Sequence, residues 1–248
     1  MLSVVDLERA FVDLGLDAPV RFDEVTGSTN ATALEMAEAG APEWTLVAAA
    51  HQTAGRGRLG RSWTDRPGAA LMFSLVVRPS VDPSRAGLIP LLAGVAMAAA
   101  IRDVAGADVR CKWPNDLLVD GSKVGGILVE SSVADGRLAH AVVGIGVNLE
   151  APGDVPAAAG IGDADPAMLL TSFLRGFHAG YVRLPEGAAE AWTEVSGTLG
   201  RSVEVTPRDG PSIRGRALAV DERGALVLQT GNGTVTVSSG EVEHLSTG

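Results

Sequence analysis

Three arginines alternate with three glycines in the segment HQTAGRGRLGRSW, residues 51–63: Arg56, Arg58 and Arg61 beside Gly55, Gly57 and Gly60. Glycine lets backbone N–H groups come close to an anion, and a guanidinium grips phosphate oxygens through two parallel hydrogen bonds. The segment therefore has the chemistry of a loop that orders around a phosphate. Three more segments carry reactive side chains. CKWPND (111–116) brings Lys112, Asn115 and Asp116 into a turn, and GSKVGGILVE (121–130) sets Lys123 just ahead of the pair Gly125-Gly126. VVGIGVNLE (142–150) ends an apolar run in Gly-Ile-Gly-Val, with Asn148 at its mouth. Taken singly, each has a structural explanation: turn chemistry, a β-bulge, a solvated lysine.

The arginine loop also satisfies G-x-G-x-x-G, and Asp82 stands where a ribose-binding acid is expected in a dinucleotide fold. The context excludes that reading. A dinucleotide loop opens a helix whose N-terminus faces the pyrophosphate, whereas RSWTDRPG and then an apolar strand follow here. No G-x-x-x-x-G-K-[ST] occurs, and the companion segments of a kinase glycine loop are missing.

These segments must be held by regular elements, and periodicity and turn residues place them. The first 20 residues contain a short amphipathic helix ending near Gly15, followed by a strand at 21–25. Ser28, Thr29 and Asn30 read as a helix N-terminus, because their side chains accept from free backbone N–H groups. That helix runs to Gly40. Residues 45–52 form a buried strand that leads straight into the arginine loop, and 70–79 form the next. The run AGLIPLLAGVAMAAAI (86–101) is shorter than a membrane span needs and reads as a buried core helix, with Ser84 as its cap. Strands are predicted at 109–112, 117–119, 126–132 and 139–148, a loop at 151–165, and helices at 166–183 and 187–196. After Gly200, five short alternating segments separated by turn residues predict a small closed barrel of the SH3-like type. The fold class is thus α+β: a mixed central sheet with flanking helices over 1–197, plus a β domain over 198–248.

Bulk properties narrow the function. The chain has 248 residues, 46% of them hydrophobic, which suits a sizeable folded core. Its 20 Lys and Arg against 30 Asp and Glu give a formal charge of -10, which argues against broad nucleic-acid binding and leaves room for one local anion site. Cys111 is the only cysteine, so neither an intrachain disulfide nor a cysteine zinc cluster exists, and it reads as a small buried residue. No basic stretch followed by an apolar run marks the N-terminus as a secretory leader, so the expected location is the cytoplasm, away from membranes.

Five motifs in this order, GSTN, QTAGRGR, KWPND, K-x-GGIL and GIGVN, resemble the biotin protein ligases. The resemblance covers about residues 20–150 by motif, and the remainder by its small C-terminal β domain. It implies a two-step reaction with ATP and biotin as substrates and Mg2+ accompanying ATP, with no metal ligand legible. Biotin's carboxylate attacks the α-phosphate to give biotinyl-5′-AMP. The ε-amine of a lysine on a biotin carboxyl carrier protein or domain then takes the biotin and expels AMP.

Carried over by position, Ser28, Thr29, Asn30 and Gln52 are expected to bind biotin, together with Gly55, Arg56, Gly57, Arg58, Lys123, Gly125 and Gly126. Arg56, Arg58, Arg61, Trp63, Asn115, Lys123 and Asn148 are expected on the nucleotide, with Trp63 near the adenine. Lys123, Arg58 and Asp116 are the catalytic candidates. Lys123 offsets the repulsion between carboxylate and α-phosphate, and Asp116 orients the acceptor amine. Lys112 is expected to be supportive. A lipoate or octanoate transferase on the same scaffold is the alternative enzyme. A biotin-responsive DNA-binding regulator is the non-enzyme alternative, disfavoured because only 26 residues precede the first motif. Oligomeric state is not legible.

Overall fold

The computed structural model describes residues 2–153 and 155–245. Helix α1 (Val4–Leu14) starts in a capping box in which Ser3 and Asp6 satisfy each other's backbone N–H groups, and it ends at Gly15 in the left-handed region. Strand β1 (Val20–Asp23) leads to α2 (Thr29–Glu38), which Ser28 caps as the sequence suggested. Next come β2 (Leu46–Ala49), β3 (Ala70–Val77) and α3 (Leu88–Ala105). Strands β4 (Arg110–Lys112), β5 (Asp116–Val119), β6 (Ser122–Ala134) and β7 (Arg137–Asn148) follow, then helices α4 (Pro166–Tyr181) and α5 (Ala188–Val195).

The seven strands form one mixed sheet in the order β1-β2-β3-β7-β6-β5-β4, in which only β1 and β2 run parallel. Alternation along each strand sends side chains to two different partners. Leu71, Phe73, Leu75 and Val77 of β3, with Ala141, Val143, Ile145 and Val147 of β7, enter the large core that also contains the buried residues of α1, α3, α4 and α5. Val47, Val76 and Val142 point the other way, onto Ala33 and Ala37 of α2. The short α2 covers only part of that second face.

Helix α3 is apolar all round and lies inside the core. The helical stretch Pro83–Ala105 spans 23 residues, longer than the uncharged run read from the sequence, and is long and apolar enough to cross a membrane, yet most of it is buried within the protein. Ser84 is not its cap. Asp82 caps a single turn at Pro83–Arg85, and α3 starts from Gly87 without any side-chain cap.

The C-terminal segments form β8 (Ser202–Pro207), β9 (Ile213–Val220), β10 (Leu226–Thr230), β11 (Gly233–Val237) and β12 (Gly240–His244). They make an antiparallel sheet in the order β11-β10-β9-β8-β12. All five expected strands are present, in keeping with an SH3-like domain, but the closed barrel is not: β11 and β12 do not pair. Strand β12 instead crosses to β8, with Gly240 opposite Pro207, and presents the Gly240 carbonyl to Arg58 of the first domain. The inner face of this sheet (Val203, Val205, Leu226, Leu228, Val242) belongs to the same apolar core as the helices. Buried Trp113 bolts the seam, its indole Nε1 donating to the Gly224 carbonyl at 3.0 Å and its backbone N–H to the Thr198 hydroxyl at 3.0 Å.

Candidate functional site

The register of the large sheet builds a trough on the face that α2 leaves open. Gly146 of β7 stands opposite Met72 on one side and Gly126 on the other, and Gly144 stands opposite Ser74 and Leu128. Gly144 and Gly146 are two apart, so both missing side chains fall on the same face, while Val143, Ile145 and Val147 fill the core behind them. What fills the trough confirms the need for glycine. A Cβ at Gly144 would fall on the Asn30 carboxamide, and one at Gly146 would stand 2.7 Å from the Trp63 indole. The remaining cavity is about 250 Å3.

Trp63 reaches Gly146 because the arginine segment folds as a miniature hairpin. Gly57 N–H donates to the Arg61 carbonyl at 2.7 Å, Trp63 N–H donates to the Gly55 carbonyl at 2.9 Å, and Arg56 bridges Ser62. Leu59 (φ 55°) and Gly60 (φ 76°) turn the tip. Gly55 is required because a Cβ there would meet the Trp63 carbonyl oxygen at 2.5 Å. At its base, buried Asp65 accepts from the Gln52 N–H and pairs with His51 Nδ1 at 2.9 Å.

One end of the cavity is neutral and rich in hydrogen-bonding groups. Gln52 Oε1 accepts from the Thr29 backbone N–H at 2.7 Å, and the Ser74 hydroxyl lies 2.9 Å from both Thr29 Oγ1 and Asn30 Oδ1. The other end is charged. Lys123 Nζ pairs with Asp116 Oδ1 at 2.5 Å, and Arg61 with Glu241 Oε2 at 2.5 Å. Arg58 donates to Asn115 Oδ1 at 3.1 Å and to the Gly240 carbonyl at 3.3 Å, while Asn115 Nδ2 is anchored on the Ile127 carbonyl. Burial lowers the Arg58 pKa, opposed by the nearby Asp116 and Glu241 carboxylates. Arg56, Arg58, Arg61, Lys112 and Lys123 line the cavity against Asp116, Glu241 and Glu243, a local excess of positive charge in an acidic chain. Cys111 contributes no nucleophile: it is buried, which pushes its thiol up to about 12.

Most residues singled out from sequence converge here: Ser28, Thr29, Asn30, Gln52, Arg56, Gly57, Arg58, Arg61, Trp63, Asn115, Asp116, Lys123 and Gly126 all line the cavity. Gly55, Gly125 and Asn148 are not among its lining residues. Gly55 sits against Trp63, Gly125 packs against Leu117, Val147 and the Gly146 carbonyl, and Asn148 donates to the Ala159 carbonyl at 3.1 Å, pinning the loop after β7. Sequence reasoning missed Ser74, Glu130, Gly144 and Gly146 as parts of the site or its support, and Glu241 of β12. The first four carry a signal, a lone polar group or alternating glycines in an apolar strand. Glu241 carries none.

Residues 22–148 match the Biotin/lipoate A/B protein ligase family, and residues 198–245 match the Biotin protein ligase C terminal domain. The chain belongs to the biotin/lipoate A/B protein ligase family. Among its relatives, the bifunctional ligase/repressor BirA of Bacillus subtilis is 33% identical over 237 residues, covering 90% of this chain and 73% of the relative. The biotin–[acetyl-CoA-carboxylase] ligase of Mycobacterium tuberculosis is 36% identical over 236 residues, covering 89% and 86%. The solved structure of the biotin protein ligase from Aquifex aeolicus in complex with biotin and ATP superposes with a TM-score of 0.74 at 25% identity, over 91% of this chain and 97% of that one. In this ligase fold, the cavity described above lies between the large sheet, the arginine hairpin and β12.

Proposed function

We propose that this chain is a biotin protein ligase, which activates biotin with ATP and transfers it to a lysine of a carboxyl carrier protein. One observation carries the reading: within a family whose relatives are biotin ligases, the cavity has a neutral polar end and a cationic end. Biotin has a neutral ring that both donates and accepts hydrogen bonds, and a tail that ends in the carboxylate which must meet a polyphosphate. Ser28, Thr29, Asn30 and Gln52 suit the ring. Arg56, Arg58 and Lys123 suit the reacting centre, where the carboxylate attacks the α-phosphorus and pyrophosphate leaves. Mg2+ enters with ATP as part of the substrate.

The chemistry assigns roles to particular side chains. Lys123 neutralises charge on the carboxylate and the α-phosphate as they approach. Asp116 holds Lys123 ready and, in the second step, accepts a hydrogen bond from the acceptor ε-amine as it attacks the acyl carbon and expels AMP. The Trp63 hairpin covers the mixed anhydride and keeps water from it. The active unit divides at 197/198, with β12 closing the cavity through Gly240 and Glu241. The acceptor is a carrier domain, and the formal charge of -10 favours a ligase that does not bind DNA. Its need for ATP and for a carrier protein supports a cytoplasmic location.

The test is incubation with ATP, Mg2+ and a carrier domain, offered either biotin or lipoate. Biotin on the carrier lysine, with one pyrophosphate and one AMP released per transfer, is expected. Transfer of lipoate but not biotin would overturn the assignment.

A further inference from the structure

Glu130 lies at the end of the GGILVE run, outside the lining of the cavity, yet both its carboxylate oxygens are committed to residues that do line it. Oε2 accepts from Asn30 Nδ2 at 2.7 Å, and Oε1 accepts from Arg56 Nη2 at 2.8 Å. The two donors come from different parts of the chain: Asn30 from the first turn of α2, Arg56 from the hairpin. Both bonds are charge-assisted, the stronger class.

We propose that Glu130 is a positioning residue which couples the neutral, ring-binding end of the cavity to the anion-binding hairpin. This rests on the biotin ligase reading. The argument is one of hydrogen-bond polarity. A carboxylate can only accept, so it turns the NH2 of Asn30 towards itself and the carboxamide oxygen towards Ser74. The single proton of Ser74 must then go to Asn30 Oδ1, 2.9 Å away. With that proton committed, the Ser74 oxygen stands 2.9 Å from the Thr29 hydroxyl, which also lies 3.2 Å from Gln52 Oε1, the acceptor of the Thr29 backbone N–H. The orientations of the Asn30 amide and of the Ser74 hydroxyl in the ring-binding end thereby follow from one carboxylate. Gly144 leaves the Asn30 amide its place, since a Cβ there would displace it.

The same carboxylate holds Arg56, so the placement of the hairpin and the amide orientation of Asn30 are not independent. A glutamine at 130 keeps the shape and breaks this logic. Its one carbonyl oxygen serves either Arg56 or Asn30, and its NH2 then faces a donor. Either the hairpin is released or the Asn30 amide turns over and reverses the chain through Ser74 and Thr29.

The experiment measures biotin binding by calorimetry on the full chain, with pyrophosphate-release kinetics alongside. Glu130→Gln is expected to weaken biotin binding in the absence of ATP by about tenfold or more, the scale of losing a charge-assisted hydrogen bond, and to slow pyrophosphate release as well, because Arg56 reaches the reacting centre from the hairpin. Asn30→Ala and Arg56→Ala are then combined in a double-mutant cycle, in the native background and in Glu130→Gln. Their effects on biotin affinity are expected to be non-additive in the first and additive in the second. A merely structural role for Glu130 would lower the melting temperature without moving this coupling. Additive effects in the native background overturn the inference without any variant at 130, as does a Glu130→Gln affinity within twofold of native. Native protein that binds no biotin at all would instead count against the function itself.

Discussion

Replacing Gly146 with alanine tests whether the glycine floor seats the hairpin. Its backbone is not in the left-handed region, so alanine is tolerated locally. The added Cβ would stand 2.7, 2.8 and 3.0 Å from three indole carbons of Trp63, against about 3.5–4.0 Å for carbons in contact. Trp63 cannot sink into the sheet, so it must lift by about 1 Å. Overpacking of this kind costs about 1–3 kcal/mol, and it falls on the seated state, because β7 stays folded whether or not the hairpin lifts. That cost raises the unseated population about 5- to 150-fold. Arg56, Arg58 and Arg61 make the hairpin a trypsin substrate when it lifts, and cleavage that tracks the open population rises by the same factor. Gly126 is the control. It faces Gly146 across the ladder, but its added Cβ would meet Lys123 at 3.5 Å and Trp63 at 3.8 Å, ordinary contacts. Gly126→Ala is therefore expected to leave the native cleavage rate within about twofold. Equal acceleration in both variants, or none in Gly146→Ala, would refute the reasoning.

Three further outcomes follow from the geometry. Lys123→Ala should stay folded, because its ion pair is partly exposed and worth at most about 1 kcal/mol, yet lose biotin-dependent pyrophosphate release by about 100-fold or more; near-native release would remove Lys123 from the chemistry. Arg58→Ala should detach the hairpin from Asn115 and from the Gly240 carbonyl of β12, so that biotinyl-adenylate escapes and labels bystander lysines; unchanged retention of the intermediate in a filtration assay would argue otherwise. Burial, with Lys112 and Arg201 nearby, lowers the His244 pKa to about 4. Below the ordinary imidazole range the unfolded chain binds a proton that the folded chain refuses, so stability is full at neutral pH and falls as pH drops towards 4. Urea unfolding across that range should show the slope, and His244→Gln should flatten it; an unchanged slope in the variant would assign the loss to other groups.

The sequence determined much of this protein through patterns that act locally. Unbroken apolar runs gave β2, β3 and α3, Ser28 before Thr29-Asn30 marked the start of α2, and alternation after Gly200 gave all five terminal strands. The glycine–arginine segment carried its own chemistry, and its context, with no helix behind it, excluded a dinucleotide loop. Strand periodicity, however, says that neighbours face opposite ways without saying which way is up. Register decides that Gly126 floors the cavity while Gly125 packs into the core, and that Asn148 holds a loop. The contacts that tie the site together are longer-range still. Asn30 meets Glu130 across 100 residues of chain, Arg56 meets it across 74, and Arg58 meets Gly240 across 182. No local propensity encodes such pairs. They exist because the two sheets share one core, whose packing brings β12 to the mouth of the cavity and leaves the second sheet open where a closed barrel was expected.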